Sequence, residues 1–417
     1  MGELMRIVLI GAGQRGRIYA DTMHKAGYAK IVAVVEPDDQ RRQAAGGDLG
    51  VPEATRFKSV EPLWAMGKIA DGAIIASMDR DHHAQAMTAI ELGYDLLLEK
   101  PISPNLTECM EIRERALALG RSVTVCHVLR YTPFFSTLKR LLDERVVGRP
   151  ISIRHEENIG NFHMAHSFVR GNWANQAQSS PIILQKSCHD MDILVWLTGS
   201  RCKAISSVGA LTYFTPGNAP EGSAARCFDC AARAACRFDA EKCYLPVLGD
   251  WPAAVITPDQ TPESLIAALK TGPYGRCVYR CGNDVCDHQS SLIEMENGVI
   301  VSFAMSAFTN RMNRTIRILC EDGEICGDDE ARVITVTRFA SNAVNACTVE
   351  ELHTEVPRSF HGGGDATLVD GFFHALMGER TESASSVEQS IESHLMAFAA
   401  ERSRMAGGER VLLEIMR

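Results

Sequence analysis

Three glycines near the start of the chain have the spacing of loops that cradle a pyrophosphate. Gly11, Gly13 and Gly16 form a G-x-G-x-x-G motif, with Gln14 and Arg15 inside it, between an apolar strand-like run and a helical run. The first glycine permits a tight turn, the second lets the backbone approach a phosphate, and the third packs helix against strand. Because the N–H groups and the dipole of a helix N-terminus favour anions, the motif predicts a dinucleotide site.

An acidic residue follows the second strand-like run at the distance typical of such sites. Glu36 lies about twenty residues beyond Gly16, where it can accept hydrogen bonds from a ribose 2′-hydroxyl. That placement favours NAD over NADP as the cofactor. Arg41 and Arg42 leave NADP as the alternative, because either guanidinium could pair with a 2′-phosphate.

A lysine stands at the end of the fourth strand-like run, in the segment Glu99-Lys100-Pro101. In an open α/β sheet, ligands bind in the crevice outside the carboxyl ends of the strands. Lys100 is therefore expected to face the bound cofactor.

The elements that must position these residues alternate between strand and helix over the first 130 residues. Short apolar runs predict strands at 6–10, 31–35, 73–77, 95–98 and 122–127, and helical patterns lie between them, including 81–92 and 106–119. Near-continuous apolar strands separated by helices are typical of a parallel sheet that is covered on both faces. We therefore predict an α/β Rossmann domain, a doubly wound parallel sheet, over residues 1–130.

From about residue 150 the pattern changes, because strand-like runs follow one another. The predicted strands are 151–157, 204–214, 290–295, 299–307, 315–320 and 332–338. Helices are predicted on one face of this sheet, at 188–197, 366–377 and 387–405. The prediction is an α+β domain over residues 131–417 with a large, mainly antiparallel open sheet, interrupted by an insertion at about 216–287.

Most of the clustered cysteines of the chain lie in the insertion. Eight of the fourteen cysteines lie between Cys202 and Cys286, and Cys227 and Cys230 form a C-x-x-C pair. Such a pair supplies two thiolates from one tight turn, and tetrahedral Zn²⁺ needs two more ligands, commonly from a second segment. Because the insertion has few apolar residues, metal binding would supply folding energy that its core does not. We predict a structural zinc site, with an iron–sulfur cluster or free thiols as the alternatives.

The composition excludes several classes of protein. Of the 417 residues, 46% are hydrophobic and 23% are charged, which is typical of globular rather than disordered chains. The net charge of −9 argues against a nucleic-acid partner, and no apolar run approaches the ~20 residues needed to cross a bilayer. With no export signal visible, we expect a cytoplasmic protein with reduced thiols and no membrane partner.

Motifs spread over almost the whole chain outside the insertion resemble those of the glucose–fructose oxidoreductase / inositol dehydrogenase (Gfo/Idh/MocA) family. They are Ala76-Ser-Met-Asp-Arg-Asp-His82, Glu99-Lys100-Pro101, Arg130-Tyr-Thr-Pro133, His189-Asp-Met-Asp192 ahead of Trp196-Leu-Thr-Gly199, His361-Gly-Gly-Gly-Asp365 and Ser390-Ile-Glu-Ser-His394. The resemblance implies NAD(P)-dependent oxidation and reduction of sugars, polyols or their derivatives. It also implies a C-terminal sheet whose open face forms a homodimer or a homotetramer.

The resemblance assigns roles to individual residues. It implies that Lys100 binds the reacting hydroxyl and that His189 is the general acid/base, a role that suits a group titrating near the working pH. A cation beside the hydroxyl would stabilise the developing alkoxide. The resemblance further implies a substrate contact at Arg130 and cofactor contacts at Ser77, His82, Glu99 and Pro101.

The chain departs from the family at one catalytic position. Many members carry an aspartate four residues before the histidine, and this chain has Gln185 there, followed by Lys186. We interpret Lys186 as a second lysine that handles the proton or binds the substrate, with a surface position as the alternative.

Insertions in a subset of the family resemble the cysteine-rich segment of this chain. They carry a cysteine group and a later Arg-Cys-Val-Tyr-x-Cys segment, which here is Arg276-Cys-Val-Tyr-Arg-Cys281. The resemblance favours a zinc site whose four ligands are Cys227, Cys230, Cys236 and Cys281. Cys243 and Cys277 are the alternate ligands.

The leading expectation is a hydride transfer between NAD and a hydroxyl of a sugar, polyol or glycoside. A second possibility uses the same residues for redox-neutral cleavage, in which transient oxidation of a glycoside is followed by elimination. A third is a cofactor-sensing regulator that has no catalytic activity. The presence of Lys100 and His189 counts against the regulator, as does the lack of a basic patch or DNA-binding helix in the sequence.

Overall fold

The computed structural model describes residues 4–341, 344–355, 363–379 and 385–417. Two residues of the family-like motifs, His361 and Gly362, lie outside these ranges.

The first sheet has six parallel strands and confirms the predicted Rossmann architecture. Its spatial order is β3-β2-β1-β4-β5-β6, in which β1 begins the chain and lies at the centre. The four residues Ile7 to Ile10 of β1 are at most 1% exposed, as expected for a strand that is covered on both faces. The strands are β1 Met5–Ile10, β2 Ala29–Val35, β3 Arg56–Phe57, β4 Gly72–Ile75, β5 Asp95–Leu98 and β6 Val123–Val125.

Helices connect these strands and cover the sheet. Two of them begin at short polar residues that cap their first turn: Asp38 accepts a hydrogen bond from the Arg41 N–H, and Asn105 accepts one from the Thr107 N–H. The helix after β1 begins at Gly13, which has no capping side chain, so its N-terminus stays open towards a ligand. The helices are α1 Gln14–Ala26, α2 Asp39–Asp48, α3 Glu61–Ala65, α4 His82–Glu91 and α5 Leu106–Ala118.

The second sheet has nine strands in the order β14-β13-β12-β11-β7-β10-β9-β8-β15. It is antiparallel except between β7 and β10, which confirms a mainly antiparallel sheet with one parallel pair. Side chains alternate in exposure along β9, where Ile293 is fully buried and Leu292 is 52% exposed, so one face is open. The strands are β7 Pro150–Asn158, β8 Cys202–Ala210, β9 His288–Met295, β10 Ile300–Ser306, β11 Asn313–Cys320, β12 Gly323–Asp328, β13 Val333–Phe339, β14 Cys347–His353 and β15 Val411–Leu412.

Helices of the second half cover the other face of this sheet and join the two domains. The long C-terminal helix contacts both α5 of the first domain and the helix that carries His189 in the second. A π-helical segment at Met164–Arg170 follows the end of β7. The remaining helices are α6 Pro133–Asp143, α7 Asn161–His163, α8 Ile182–Gln185, α9 Cys188–Thr198, α10 Ala240–Tyr244, α11 Pro262–Thr271, α12 Gly364–Leu376 and α13 Val387–Met405.

Helix α12 packs in the core of the first domain, although the sequence division at residue 130 assigns it to the second. Leu368, Val369 and Phe372 are fully buried in the same apolar cluster as Ile7 and Leu9 of β1. Local patterning could not predict this return, because an amphipathic helix carries no mark of which apolar face it will cover.

The insertion between β8 and β9 has a small core of its own. Tyr244, Ala253, Leu265 and Leu269 are fully buried together, and α10 and α11 are its helices. None of the helices that the structure describes is long and apolar enough to cross a membrane.

Candidate active site

The glycine loop has the geometry that a bound pyrophosphate requires. Gly11 has a φ of 87°, and a Cβ added there would lie 2.4 Å from the Ala76 carbonyl oxygen. A Cβ at Gly16 would lie 2.0 Å from the Gly11 carbonyl oxygen, whereas one at Gly13 would meet nothing within 4 Å. Gly11 and Gly16 therefore close the turn, and Gly13 leaves open space in front of the α1 N-terminus. The residues fit a dinucleotide.

Glu36 lies at the end of β2 beside this loop and is 3% exposed. Its Oε2 accepts a hydrogen bond from the Ala12 N–H at 2.9 Å, and its Oε1 accepts one from Arg41 Nη2 at 2.8 Å. Oε1 accepts two further hydrogen bonds, from the Asp38 N–H at 3.1 Å and from Arg41 Nε at 3.2 Å, so the acceptor position that remains for a ribose hydroxyl is on Oε2. Arg41 is engaged by that carboxylate, which favours NAD over NADP.

Arg15 and Glu99 form a buried ion-pair network that ties the glycine loop to α12. Arg15 Nε lies 2.9 Å from Glu99 Oε1, and Arg15 Nη2 lies 2.7 Å from Asp365 Oδ1. Tyr19 donates a hydrogen bond to Glu99 at 2.7 Å. Burial opposes ionisation of Glu99, but Arg15 and Lys100 outweigh it and lower the pKa of the carboxyl. Arg15 and Glu99, which were both predicted to contact the cofactor, thus hold the glycine loop in place.

The connection after β4 is fixed against the Lys100 segment. His82 is 1% exposed, and its Nδ1 lies 2.9 Å from the Pro101 carbonyl oxygen. Ser77 donates a hydrogen bond to Gln85 Oε1 at 2.7 Å, and its own carbonyl oxygen lies 3.3 Å from His82 Nε2. His82 therefore holds two strand ends together, at the edge where the cofactor is expected.

Lys100 reaches from the end of β5 to the second domain. Its ammonium donates hydrogen bonds to the main-chain oxygen of Gln185 at 2.8 Å and to Gln185 Oε1 at 3.1 Å. The Gln185 side chain also donates from Nε2 to Asp79 Oδ2 at 2.8 Å. Burial raises the pKa of Asp79 above its ordinary value, against the opposing charges of His82 and Lys100.

His189 lies in the first turn of α9, one turn after Gln185, and is 7% exposed. Its ring meets the ring of His127 edge to face, with centroids 5.6 Å apart, and His127 meets His394 at 5.7 Å. Burial lowers the pKa of His127 to about 4 and that of His394 to about 3. Both neighbours are therefore neutral near pH 7 and do not oppose a positive charge on His189.

Lys186 lies between Gln185 and His189 and contacts a buried charge cluster. Its Nζ is 3.3 Å from Glu157 Oε1 at the end of β7, and Glu157 also pairs with Arg314. Burial lowers the pKa of the Lys186 ammonium, although Glu157 opposes the change. Arg314 in turn binds Asp190, and this contact helps to hold the pKa of Asp190 well below its usual range despite burial.

Arg130 is held inside the protein by a carboxylate. Its Nε and Nη2 each lie 2.6 Å from an oxygen of Asp192, and its Nη1 donates to Gln389 Oε1 at 3.0 Å. The two charged side chains are 3% and 1% exposed. The predicted contact of Arg130 with substrate stays a prediction, and the structure gives this guanidinium a bidentate partner of its own.

The cysteines of the insertion share a cavity but do not form a metal centre. Among the residues that the structure describes, no three histidine, cysteine, aspartate or glutamate side chains are grouped so that they could hold a metal ion. Two predicted thiols bond to the backbone instead: Cys281 donates to the Cys277 carbonyl oxygen at 3.2 Å, and Cys243 donates to that of Arg237 at 3.4 Å. The zinc prediction is not confirmed. A small cavity is nonetheless lined by four of the cysteines, Cys227, Cys230, Cys236 and Cys277.

The structure thus brings Lys100, Lys186 and His189 together at the carboxyl ends of the Rossmann strands. It also reveals partners that the sequence did not single out, namely Asp79, Glu157 and the histidines behind His189. Asp79 stands inside a motif of the first domain, but its partner is 106 positions away in the sequence. The sequence offered one signal for Glu157, an acidic residue at the end of the predicted strand 151–157.

Known proteins are similar to this chain in sequence and in fold. A profile of the oxidoreductase family with an NAD-binding Rossmann fold, GFO_IDH_MocA, matches residues 5–127. Inositol 2-dehydrogenase 4 of Saccharopolyspora erythraea is 30% identical over 206 residues, which are 48% of this chain and 56% of that protein. Inositol 2-dehydrogenase of Corynebacterium glutamicum is 27% identical over 207 residues, or 49% and 57% of the two chains. The matches span about half the length of these curated relatives.

Solved structures match the chain over its whole length. An oxidoreductase from Agrobacterium radiobacter, in complex with NAD⁺, L-tartaric acid and magnesium, has a TM-score of 0.71 at 15% identity, with 100% of both chains covered. This likeness shows that the fold is shared. The profile match shows that residues 5–127 form a Gfo/Idh/MocA-type NAD-binding domain, and the inositol dehydrogenase relatives support the predicted resemblance of the chain to that oxidoreductase family.

Proposed function

We propose that the protein is an NAD-dependent oxidoreductase that transfers a hydride between the nicotinamide and a CH–OH group of a sugar, polyol or glycoside. The observation that carries the proposal is the hydrogen bonding of Lys100 to Gln185. This contact holds a lysine of the cofactor domain against the segment of the substrate domain that bears Lys186 and His189. The similarity to proteins named inositol 2-dehydrogenase supports a polyhydroxylated substrate.

The residues divide the work of such a reaction. When bound, NAD supplies a hydride acceptor at the carboxyl edge of the first sheet. Lys100 binds the substrate hydroxyl and stabilises negative charge on its oxygen, because the ammonium is held in place by two oxygens of Gln185. His189 takes the hydroxyl proton on its imidazole and returns it in the reverse direction. Since His127 is neutral beside it, that imidazolium meets no neighbouring imidazolium charge.

The test is an assay of NADH formation with a panel of sugars, inositols and glycosides. We expect turnover with NAD that falls about 10²–10³-fold in Lys100→Met, the loss typical of one oxyanion-stabilising donor. The matched control is Lys139→Met, which removes a lysine from the surface of α6. Tight NAD binding without turnover of any panel member would favour the regulator. Unchanged turnover in Lys100→Met would refute the proposed role of this lysine.

Redox-neutral glycoside cleavage is the second candidate, and the position of Lys186 beside Gln185, with its pKa lowered by burial, favours it. Elimination after transient oxidation needs a further group that removes a proton from carbon, and a partly buried lysine with a lowered pKa can serve. Glycoside cleavage without net NADH formation, lost in Lys186→Met, would identify this reaction. Net NADH formation together with a free keto sugar would exclude it.

We further propose an assembly and a compartment for the protein. The open face of the second sheet supports a homodimer or homotetramer formed through that sheet, which light scattering of the purified chain would reveal. All fourteen cysteines are free thiols, which supports a reducing, cytoplasmic compartment.

We propose that the insertion binds a structural zinc ion. Binding requires the thiols to turn away from the positions that they have in this structure. The support is Arg170, whose guanidinium is 1% exposed and binds two carbonyl oxygens and the Cys227 sulfur. Those partners are neutral, so thiolates around the adjacent cavity would balance its charge. Elemental analysis of protein purified without chelator should give about one zinc per chain, and protein without stoichiometric metal would refute the site.

A further inference from the structure

Gln185 stands where many family members have an aspartate, and its surroundings show what compensates for the missing charge. The side-chain amide lies between a cation and an anion, with Oε1 towards Lys100 Nζ and Nε2 towards Asp79 Oδ2. Gln185 is 4% exposed and Asp79 is 6% exposed, so the contacts are shielded from water. A carboxylate in the first domain is thereby connected to the Lys100 ammonium through one amide group.

The chemistry of the three groups fixes the orientation of this amide. An ammonium only donates hydrogen bonds, and an ionised carboxylate only accepts them. If the amide were turned over, its NH₂ group would face Lys100 and its oxygen would face Asp79, which would break both contacts. Asp79 therefore determines which end of Gln185 is presented to Lys100.

We propose that Asp79 is a positioning residue for Lys100: through Gln185 it orients the ammonium and stabilises its positive charge. The inference rests on the proposed function of Lys100. Among the described residues, the two oxygens of Gln185 are the acceptors at Lys100 Nζ, which leaves one of its three N–H bonds for the substrate hydroxyl. Asp79 thus supplies at a distance the negative charge that an aspartate at position 185 would supply directly.

Other ionisable groups face Lys100, and the experiment must hold them constant. Glu99 precedes Lys100 in the chain, and Lys186 is a second cation close by. The remaining groups whose pKa responds to the Lys100 charge are His127, His163, Cys188 and His394, and His82 lies beside Asp79. None of them bonds to the Gln185 amide, so exchanging groups between positions 79 and 185 leaves their contacts in place.

The test exchanges the carboxylate and the amide between the two positions. Asp79→Asn removes the anion, and Gln185→Glu places a second anion beside Asp79 and against Lys100. The double variant D79N/Q185E restores one carboxylate and one amide, so the total charge equals that of the parent. In it the carboxylate at position 185 accepts from Lys100 and from the amide at position 79. The loss in D79N tests Asp79 itself, and recovery in the double variant shows that this loss comes from the missing charge rather than from a disturbed fold.

The primary readout is the pKa of Lys100 in the cofactor-free protein. Trace labelling with acetic anhydride across a pH series, followed by peptide mass spectrometry, gives this pKa for each lysine in one experiment. We expect D79N to lower the pKa of Lys100 by about one unit, the order expected for removing a charge that acts across one amide. D79N/Q185E should restore it to the parent value or above. The exposed Lys25 serves as the internal control, and its pKa should not change.

A second readout follows kcat once a substrate is known. D79N should lower kcat and shift its pH profile, and D79N/Q185E should recover both. If Lys100 has the same pKa in D79N as in the parent, or if the double variant fails to recover it, the inference is overturned. Should D79N not fold, the comparison of Q185E with D79N/Q185E decides the matter, because loss of the Asp79 charge should give Lys100 the lower pKa in the double variant and equal values would overturn the inference. Labelling needs no turnover, so a failure of the proposed function would be seen separately, as intact pKa coupling without activity.

Discussion

Replacing Arg130 by methionine should destabilise the fold strongly, because it leaves a buried carboxylate without its partner. Both contacts to Asp192 are 2.6 Å long, and the two side chains are 3% and 1% exposed. Removing one member of a buried ion pair costs about 3–5 kcal/mol in the free energy of unfolding. That is a large part of the about 5–15 kcal/mol that stabilises most domains.

The pH dependence of the free energy of unfolding shows which of the two charged residues has lost its partner. In Arg130→Met the orphaned Asp192 can take up a proton, so the destabilisation should shrink as the pH falls towards 5. In Asp192→Asn the orphaned Arg130 stays charged at every accessible pH, so its destabilisation should not shrink in this way. The double variant R130M/D192L removes both charges and should recover most of the lost stability.

The assay is urea unfolding followed by tryptophan fluorescence, with a surface pair as the matched control. Arg149 and Glu321 are 2.6 Å apart, but their side chains are 68% and 36% exposed, so Arg149→Met should cost less than about 1 kcal/mol. If Arg130→Met unfolds at the parent urea concentration and instead raises KM for the substrate, the structural reasoning is refuted. Arg130 would then be the substrate contact that the family resemblance implies.

Three further predictions concern the cofactor site and the buried histidines. Gly16→Ala should weaken NAD binding by more than about tenfold in calorimetry, because the new Cβ would lie 2.0 Å from the Gly11 carbonyl oxygen, whereas Gly47→Ala meets nothing within 4 Å and should not. Glu36→Gln should reduce the preference for NAD over NADP, and an unchanged ratio of the two Kd values would contradict the assignment of the ribose contact. Burial lowers the pKa of His394 to about 3, whereas the unfolded chain binds this proton near pH 6.5. Stability should therefore fall as the pH drops below about 6.5, by up to about 1.4 kcal/mol per pH unit for this group, and His394→Gln should flatten the curve.

The Rossmann domain was predictable because its signals are local. A continuous apolar strand, a glycine loop and an acid at the end of the next strand each occupy a few neighbouring positions, as at Gly11 to Gly16 and at Glu36. The position of Lys100 followed from one general property of parallel sheets, the crevice at their carboxyl edge. Its contact with Gln185 depends on how two domains dock, and no local pattern encodes that geometry.

The contacts that sequence reasoning missed all join distant parts of the chain. Asp79 meets Gln185 across 106 positions, and Arg130 meets Asp192 across 62. In the sequence Asp79 is an ordinary polar residue in a loop, since burial and pairing become visible only when the domains are assembled. The C-x-x-C pair is a strong local motif, yet it did not predict how the surrounding thiols are oriented.

The packing of α12 against β1 determines the order in which the first domain can be completed on the ribosome. The apolar face that contains Ile7 and Leu9 is translated first, yet Leu368 and Phe372, which cover it, are translated near the end. During the synthesis of more than three hundred residues, Tyr19 and Met23 of α1 can pack into this cluster, but the share that α12 contributes is missing. The part of the cluster that α12 covers therefore stays exposed for most of translation, and we expect chaperones that shield apolar surfaces to bind there until α12 emerges.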